Sequence, residues 1–204
     1  MNKLVVFPTE LAMRRYQQEQ ALKHGWVDAS CHTTFSRLLK LCLPYAAVKG
    51  SRLDGVQHLL MRRQVIEVAS GHFAGRGALG DLSDNALGDV LDKLLVELAS
   101  MPGEATRIID WLLDHHRKNK LYQLGTLISV WRAMVKQEGA ADQLDVHLAI
   151  LKLLKGNREK WPPLLRDCRQ LTFKAVRWFN PFEESCVAAL NHKLKVRIGS
   201  AMPP

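Results

Sequence analysis

The chain opens on a short apolar run that ends at a Pro-Thr pair and leads directly into an amphipathic helix. The run from Leu4 to Phe7 has no polar interruption, which is typical of a strand that is buried on both faces of a sheet. Pro8 cannot donate to a neighbouring strand, so the strand ends there, and Thr9 is a suitable N-cap for the helix. The turn therefore lies at the carboxyl end of a strand, where open α/β sheets bind their ligands.

A second strand and helix follow the first pair. Val27 to Thr33 is predicted to be a strand, and Thr34 is predicted to cap a helix that ends near Pro44. Strands that alternate with helices in this way indicate a parallel sheet.

The same pattern returns near the end of the chain, with strands at 171–176 and 194–198 and a helix that begins at Pro181. Between these regions the apolar residues recur with a helical period, which predicts five helices and no strand over about 100 residues. The predicted fold class is therefore α/β, with an inserted all-helical subdomain. The predicted parts are 1–53 and 165–204 for the α/β domain and 54–164 for the helical subdomain.

Basic residues are concentrated in the two terminal regions. Residues 1–53 carry 8 Lys and Arg against 3 Asp and Glu, and residues 157–204 carry 9 against 4, whereas residues 54–156 carry 12 against 13. Because the two terminal regions are predicted to share one sheet, their charges would form one basic surface suited to a polyanion. An ordinary basic cytosolic protein explains the charge equally well.

Several classes of protein are excluded by composition. No run reaches the 18 or so apolar residues of a membrane span, so no membrane partner is expected, and the first residues are too short an apolar segment for a signal peptide. The four cysteines are scattered without a C-x-x-C pair, which predicts reduced thiols and a cytoplasmic location. They are Cys31, Cys42, Cys168 and Cys186.

Motifs that could carry chemistry are not supported by their surroundings. Gly75 to Gly80 spells G-x-G-x-x-G, but helical sequence precedes it where a dinucleotide site needs a strand.

The sequence contains no G-x-x-x-x-G-K-[ST] motif, so the loop and lysine that hold nucleotide phosphates are missing and this chain alone should not hydrolyse ATP. The adjacent His115 and His116 would point about 100° apart on a helix, so they are predicted to be solvated and not to share a metal.

A nuclease site is not supported either. Glu183 and Glu184 open a helix, Lys193 and Lys195 flank the last strand, and no carboxylate lies on that strand. We therefore predict no catalytic residue, no metal ligand and no cofactor in this chain.

What remains is the pair of strand-to-helix turns, each of which offers hydroxyls, free helix N-terminal amides and cations at one edge of the sheet. Cations would neutralise phosphates, threonines would position them and a phenylalanine would stack on a base. The predicted nucleic-acid-binding residues are Thr9, Arg14, Arg15, Thr34, Phe35, Arg37 and Lys40. The alternative is ordinary capping by the threonines, with Phe35 in the core and the arginines in solvent.

These motifs resemble a known family. The apolar strand with Pro-Thr and Arg14-Arg15, followed by Thr33 to Leu39, resembles the second and third conserved stretches of superfamily 1 helicases. More narrowly, the chain resembles the N-terminal helicase-like region of AddB-type helicase–nuclease subunits and their PD-(D/E)XK relatives. The region from Leu121 to Asp142 is similar to their helical insertion, and Ala175 to Leu190 looks like their Walker B strand with the helix after it.

The resemblance implies a P-loop-NTPase-like sheet of the helicase 1A/1B kind, on the path of single-stranded DNA. Two departures limit what it implies. The phosphate loop would precede the first strand, where this chain begins, and the Walker B acids are replaced around Arg177, Trp178 and Phe179. The resemblance is thus to a degenerate helicase domain with an inactive ATPase, serving as a DNA-handling scaffold.

The sequence therefore predicts a non-catalytic domain that binds single-stranded or end DNA, as the N-terminal part of a DNA repair or recombination helicase–nuclease. A longer parent protein could be an exonuclease or helicase-like enzyme, and a helicase or nuclease subunit could be a partner. The alternative function is a protein-interaction module whose helical subdomain docks a partner subunit.

Overall fold

The computed structural model describes residues 3–73, 79–116, 119–176 and 178–199. In chain order its strands and helices are β1 (Lys3–Phe7), α1 (Glu10–His24), β2 (His32–Thr34), α2 (Phe35–Cys42), β3 (Ser51–Arg52), α3 (Gly55–Phe73), α4 (Asp84–Ser100), α5 (Ala105–Leu113), α6 (Lys120–Gln137), β4 (Ala140–Ala141), α7 (Gln143–Lys155), α8 (Pro163–Arg166), β5 (Gln170–Phe173), α9 (Pro181–Asn191) and β6 (Lys195–Ile198).

The chain forms two compact units. The first combines Met1–Ala47 with Ala149–Pro204, and the second is the continuous segment Val48–Leu148. The predicted helical subdomain, 54–164, begins and ends later than the second unit. Helix α7 runs across the second boundary, so no break in the sequence pattern marks it.

The first unit contains a four-stranded parallel sheet in the order β2-β1-β5-β6. Strand β1 pairs with β5 from Lys3 opposite Gln170 to Val6 opposite Phe173. The two terminal regions of the chain therefore share one sheet, and the predicted α/β class with a small parallel sheet is confirmed. The buried character of β1 is also as predicted, since Leu4 and Val6 have no exposed surface.

Helices cover β1 on both of its faces. Met13 of α1 packs with Val5 and Phe7 on one face. On the other face Phe35, at the start of α2, lies 5.8 Å from Phe173 of β5 between ring centroids. This double cover is the physical reason for the unbroken apolar run in β1.

Strand β2 is shorter than predicted. The predicted strand at 27–33 is replaced by a 3₁₀ turn at Ala29–Cys31 and a strand at His32–Thr34. The cause is local, because the carboxylate of Asp28 accepts a hydrogen bond from the amide of Ser30 at 3.0 Å and so favours a turn.

The second unit is built from the helices that the apolar periodicity predicted, here α3 to α6 and the first part of α7. Its core forms around Trp131, which is fully buried with Leu127, Val65 and Leu91. The G-x-G-x-x-G stretch at Gly75 to Gly80 lies mostly outside the described residues, and helix α3 precedes it up to Phe73.

The expectation of an all-helical insertion was wrong in one detail, because β3 and β4 form a short parallel ladder in this unit. Strands of two residues are too short to show alternation in a sequence. Glycines with positive φ precede both strands, Gly50 at 97° and Gly139 at 60°. A Cβ on Gly50 would lie 2.5 Å from the Gly139 carbonyl oxygen, so the close approach needs glycine.

Not every apolar residue of the predicted helices is buried. Val56, Leu59 and Leu60 in the first half of α3 are 67%, 60% and 59% exposed. No helix in the described part of the chain has the length and apolar character that a membrane span requires.

Candidate nucleic-acid interface

Two threonines cap the helices that follow the first two strands, as predicted. The Thr9 Oγ1 accepts a hydrogen bond from the Ala12 amide at 3.1 Å, and the Thr34 Oγ1 accepts one from the Arg37 amide at 3.2 Å. Thr9 is exposed, so its hydroxyl can still donate to a ligand, whereas Thr34 is buried and serves the fold alone.

An ion pair joins the first turns of α1 and α2 at the carboxyl edge of the sheet. Phe7 is aligned with Thr34 at the ends of β1 and β2, which places the two turns side by side. The Arg37 Nη2 lies 2.8 Å from the Glu10 Oε1, and its Nε donates to the same oxygen at 3.0 Å. Residues that are 27 positions apart in sequence thus share one site.

Three further cations extend this site. Arg14 lies one turn after Glu10, on the same side of α1, and Lys40 lies one turn after Arg37 on α2. Arg15 lies about 100° further around α1. All three side chains are exposed, and none makes an ion pair with another residue that the structure describes.

The position of Phe35 corrects one predicted role. Its side chain is only 4% exposed, and its ring packs against Phe173 and Phe179 at centroid distances of 5.8 and 6.2 Å. A base could stack on Phe35 only if this core opened, so the ring is structural. The sequence analysis gave a core position as the alternative for Phe35, and the structure places Phe35 in the core.

An aromatic residue that the sequence analysis passed over is exposed at the same edge. Trp178 lies in the connection between β5 and α9 and is 76% exposed. The sequence signal for this residue is a tryptophan in a strand-to-helix connection, two residues before the capping residue Asn180. Asn180 forms a capping box with Glu183, which explains why this acid opens the helix.

The carboxyl ends of β1 and β5 form the topological switch point of the sheet. The chain passes from β1 outward to β2 and from β5 outward to β6, in opposite directions. In open α/β sheets the crevice at such a point is the usual ligand site. At this switch point Thr9 follows β1, and Lys174 and Ala175 follow β5. Ala175 has a φ of 58°, a backbone conformation that is rare for residues other than glycine.

Lys174 is held against α1. Its Nζ donates a hydrogen bond to the Tyr16 hydroxyl at 3.0 Å and lies 4.2 Å from the centre of the same ring. The Tyr16 ring also contacts Phe7 and His32. Desolvation lowers the pKa of His32, with the charge of Lys174 acting in the same direction and that of Asp28 opposing it.

No family model matches the chain, and no curated protein is significantly similar to it.

Other chemistry finds no support in the described residues. They contain no group of three or more side chains able to hold a metal ion. His115 is half-buried, with its Nδ1 2.9 Å from the Trp111 carbonyl oxygen. All four cysteines are free thiols, and burial raises the pKa of Cys42 to about 12, so this thiol is protonated and unreactive at neutral pH.

Proposed function

We propose that this chain binds single-stranded or end DNA, without catalysing a reaction, at the carboxyl edge of its parallel sheet. The observation that supports the proposal is the Glu10–Arg37 ion pair with the exposed Arg14, Arg15 and Lys40 around it. Apart from Arg37, these cations have no acidic partner among the residues that the structure describes, so their charge is available to phosphates.

Binding would combine three contributions. Arg14, Arg15 and Lys40 would neutralise successive phosphates, and Thr9 with the free amides of the first turn of α1 would orient one of them. Arg37 would exchange its carboxylate partner for a phosphate. Because released counterions supply much of the affinity, binding should weaken steeply with salt.

Trp178 replaces Phe35 as the proposed stacking residue. Its ring is exposed on the connection that borders the switch point, so a base can reach it without opening the core. Stacking on an aromatic ring tolerates any base, which suits a binder without sequence preference.

The finer fold assignment belongs to the same proposal: a degenerate P-loop-like, helicase-like domain of the AddB type that lacks nucleotide chemistry. Its support is that Trp178 and Phe179 stand where the resemblance places the Walker B acids. The Arg177 position in that motif lies outside the described residues. In this view the chain is a cytoplasmic scaffold for DNA repair or recombination, working with a helicase or nuclease subunit.

The test is a double variant, Arg14→Ala/Arg15→Ala, titrated against a fluorescently labelled oligothymidylate at several salt concentrations. Removing two phosphate contacts should weaken binding about tenfold at low salt. It should also reduce the salt slope by about 1.4, since each single-strand phosphate contributes about 0.7.

Lys23→Ala/Lys160→Ala is the matched control, because it removes the same charge from exposed positions away from the carboxyl edge. It should leave both affinity and slope nearly unchanged. Equal losses in the two double variants would mean that only net charge matters, and would contradict the proposed site.

A second candidate function is docking of a partner subunit by the second unit. The observation that favours it is the exposed apolar side of α3 at Val56, Leu59 and Leu60. A pure docking module would not retain a labelled oligonucleotide on a gel at low salt, whereas a DNA-binding domain would.

A further inference from the structure

Strands β5 and β6 differ from β1 in their pattern of polar residues. β1 is an apolar run, whereas β5 reads Gln-Leu-Thr-Phe and β6 reads Lys-Val-Arg-Ile, with strict alternation. Alternation means that one face of these two strands is apolar and the other polar.

The register places the polar residues side by side. Gln170 is aligned with Lys195, and Thr172 with Arg197, so all four side chains point to the face that carries Val5 in β1. Lys3, aligned with Gln170, and Lys174, two residues beyond Thr172, extend the same face. We call this the open sheet face, and its members are Lys3, Gln170, Thr172, Lys174, Lys195 and Arg197. Thr172 is buried and Gln170 and Lys174 are half-buried, so the exposed members are the other three.

The charge on the open sheet face is positive throughout. It carries four cations, and none of the strand residues that point to this side is acidic. Lys3, Lys195 and Arg197 are exposed and form no hydrogen bond or ion pair through their side chains with any residue that the structure describes. Lys174 is tied to Tyr16, and Gln170 donates to the Thr172 hydroxyl at 3.3 Å.

The polarity of this face decides what can cover it. Helices that cover a parallel sheet pack on Val, Ile and Leu, as α1 does on Val5 and Phe7. An apolar helix laid over Lys195 and Arg197 would bury two charges without a counter-charge, which is strongly unfavourable. A chain of phosphates meets the same side chains with complementary charge and leaves them partly hydrated.

We propose that the open sheet face binds the sugar–phosphate backbone of a single nucleic-acid strand. Lys174, at the carboxyl end of β5, connects this face to the switch point, and Arg197 and Lys195 continue it along β6 with about 6.6 Å between them. This inference rests on the proposed function, because one nucleic-acid strand would occupy both the carboxyl edge and the open sheet face. It concerns different residues, so an experiment can contradict it without contradicting the edge site.

The experiment compares two double variants on oligothymidylates of two lengths. Lys195→Gln/Arg197→Gln removes two of the four cations of the open sheet face, and Arg14→Ala/Arg15→Ala removes two of the four cations of the carboxyl edge. The oligonucleotides are about 5 and about 20 nucleotides long, chosen to span one surface or both. Affinity is measured by fluorescence anisotropy at low salt and as a function of salt.

The open-face variant should bind the long oligonucleotide about tenfold more weakly, with a salt slope lower by about 1.4. For this variant, the ratio of the affinity for the long oligonucleotide to the affinity for the short one should therefore fall. The edge variant should lose affinity for both lengths. Lys160→Gln/Lys193→Gln, with the same loss of charge at exposed positions outside the sheet, should match the unmodified chain.

An open-face variant that binds the long oligonucleotide with unchanged affinity and slope overturns this inference and leaves the edge site intact. An unchanged edge variant beside a weakened open-face variant overturns the edge site instead. Failure of the unmodified chain to bind either oligonucleotide overturns both. Because the side chains of Lys195 and Arg197 have no partner in the described part of the chain, a thermal melting curve equal to that of the unmodified chain verifies that the variant is folded.

Discussion

The paired arginines of the second unit contrast with the exposed cations on two surfaces of the first unit. In the second unit Arg132 is held between Asp142 and Asp145 at 2.8 to 3.0 Å, and Arg62 lies against Asp89 and Asp92. In the first unit the exposed cations at the carboxyl edge and on the open sheet face have no acidic partner among the described residues, except for Arg37. Arg158 of the first unit also serves the fold, since it donates hydrogen bonds to the carbonyl oxygens of Arg166 and Cys168. The contrast therefore concerns only the cations of the carboxyl edge and the open sheet face, which carry the proposed function.

The Arg132 cluster illustrates the structural use of charge. Asp142 accepts hydrogen bonds from the Trp131 Nε1 and from Arg132, both at 2.9 Å, and its side chain is only 7% exposed. Burial acts to raise the pKa of Asp145, but the hydrogen bonds and charge of Arg132 outweigh it and lower that pKa. The cluster fixes the start of α7 against α6.

The largest effect that this comparison predicts comes from Asp142→Ala. The substitution leaves the Trp131 N–H buried without its acceptor and Arg132 with half of its counter-charge. We expect the free energy of unfolding to fall by about 3 to 5 kcal/mol, measured by urea denaturation. Glu104→Ala breaks an exposed ion pair with Arg107 in the same unit and should cost less than about 1 kcal/mol.

Similar losses in these two variants would show that the buried cluster adds no more than a surface pair. The contrast between the two units would then disappear.

A smaller effect is expected from Glu10→Gln, which tests whether the charge of the first unit is reserved for a ligand. The variant frees Arg37 and removes an anion from the carboxyl edge, so affinity for single-stranded DNA should rise about three- to tenfold. Stability should change little, because the pair is half exposed on both sides. Glu19→Gln, an exposed glutamate further along α1, removes the same charge away from Arg37.

An equal gain in the Glu10 and Glu19 variants would indicate a general effect of net charge. A loss of affinity in Glu10→Gln would mean that Glu10 orients Arg37 for binding and does not compete with the phosphate.

The smallest effect concerns pH and involves one histidine in each unit. Desolvation lowers the pKa of His32 in the first unit and of His147 in the second. A lowered pKa means that the folded state favours the neutral ring. The contribution to stability is therefore complete above the unfolded pKa of about 6.5 and is lost as the pH falls through the lower pKa of the folded state.

We expect the thermal midpoint to fall between pH 7.5 and pH 5, and to fall less steeply in His32→Gln and in His147→Gln than in the unmodified chain. Parallel pH profiles for all three proteins would rule out these rings as the source.

Much of the secondary structure was predictable from local chemistry. Thr9 and Thr34 cap helices where their position after an apolar strand indicated caps, and the alternation of strands and helices predicted the parallel sheet. Local signals sufficed because capping and periodicity involve residues within one or two turns of each other.

The candidate site was less predictable, because its decisive contacts join distant residues. Nothing in the sequence distinguishes Phe35 as a core ring from Phe35 as an exposed one, since this depends on Phe173, 138 positions later. Dependence on distant residues also explains why the pairing of Glu10 with Arg37 and the ladder of β3 and β4 were not predicted. It also explains why Leu59 is exposed although it fits the helical spacing of apolar residues in α3.

The sequence by itself determined that both ends of this chain are basic, that they form strands and capped helices, and that no nucleotide-phosphate loop is present. Tertiary structure alone decided which of those cations are neutralised and which remain exposed. The physical reason is that each residue type carries its own charge, whereas the availability of that charge to a ligand depends on the neighbours that the fold brings within a few ångströms.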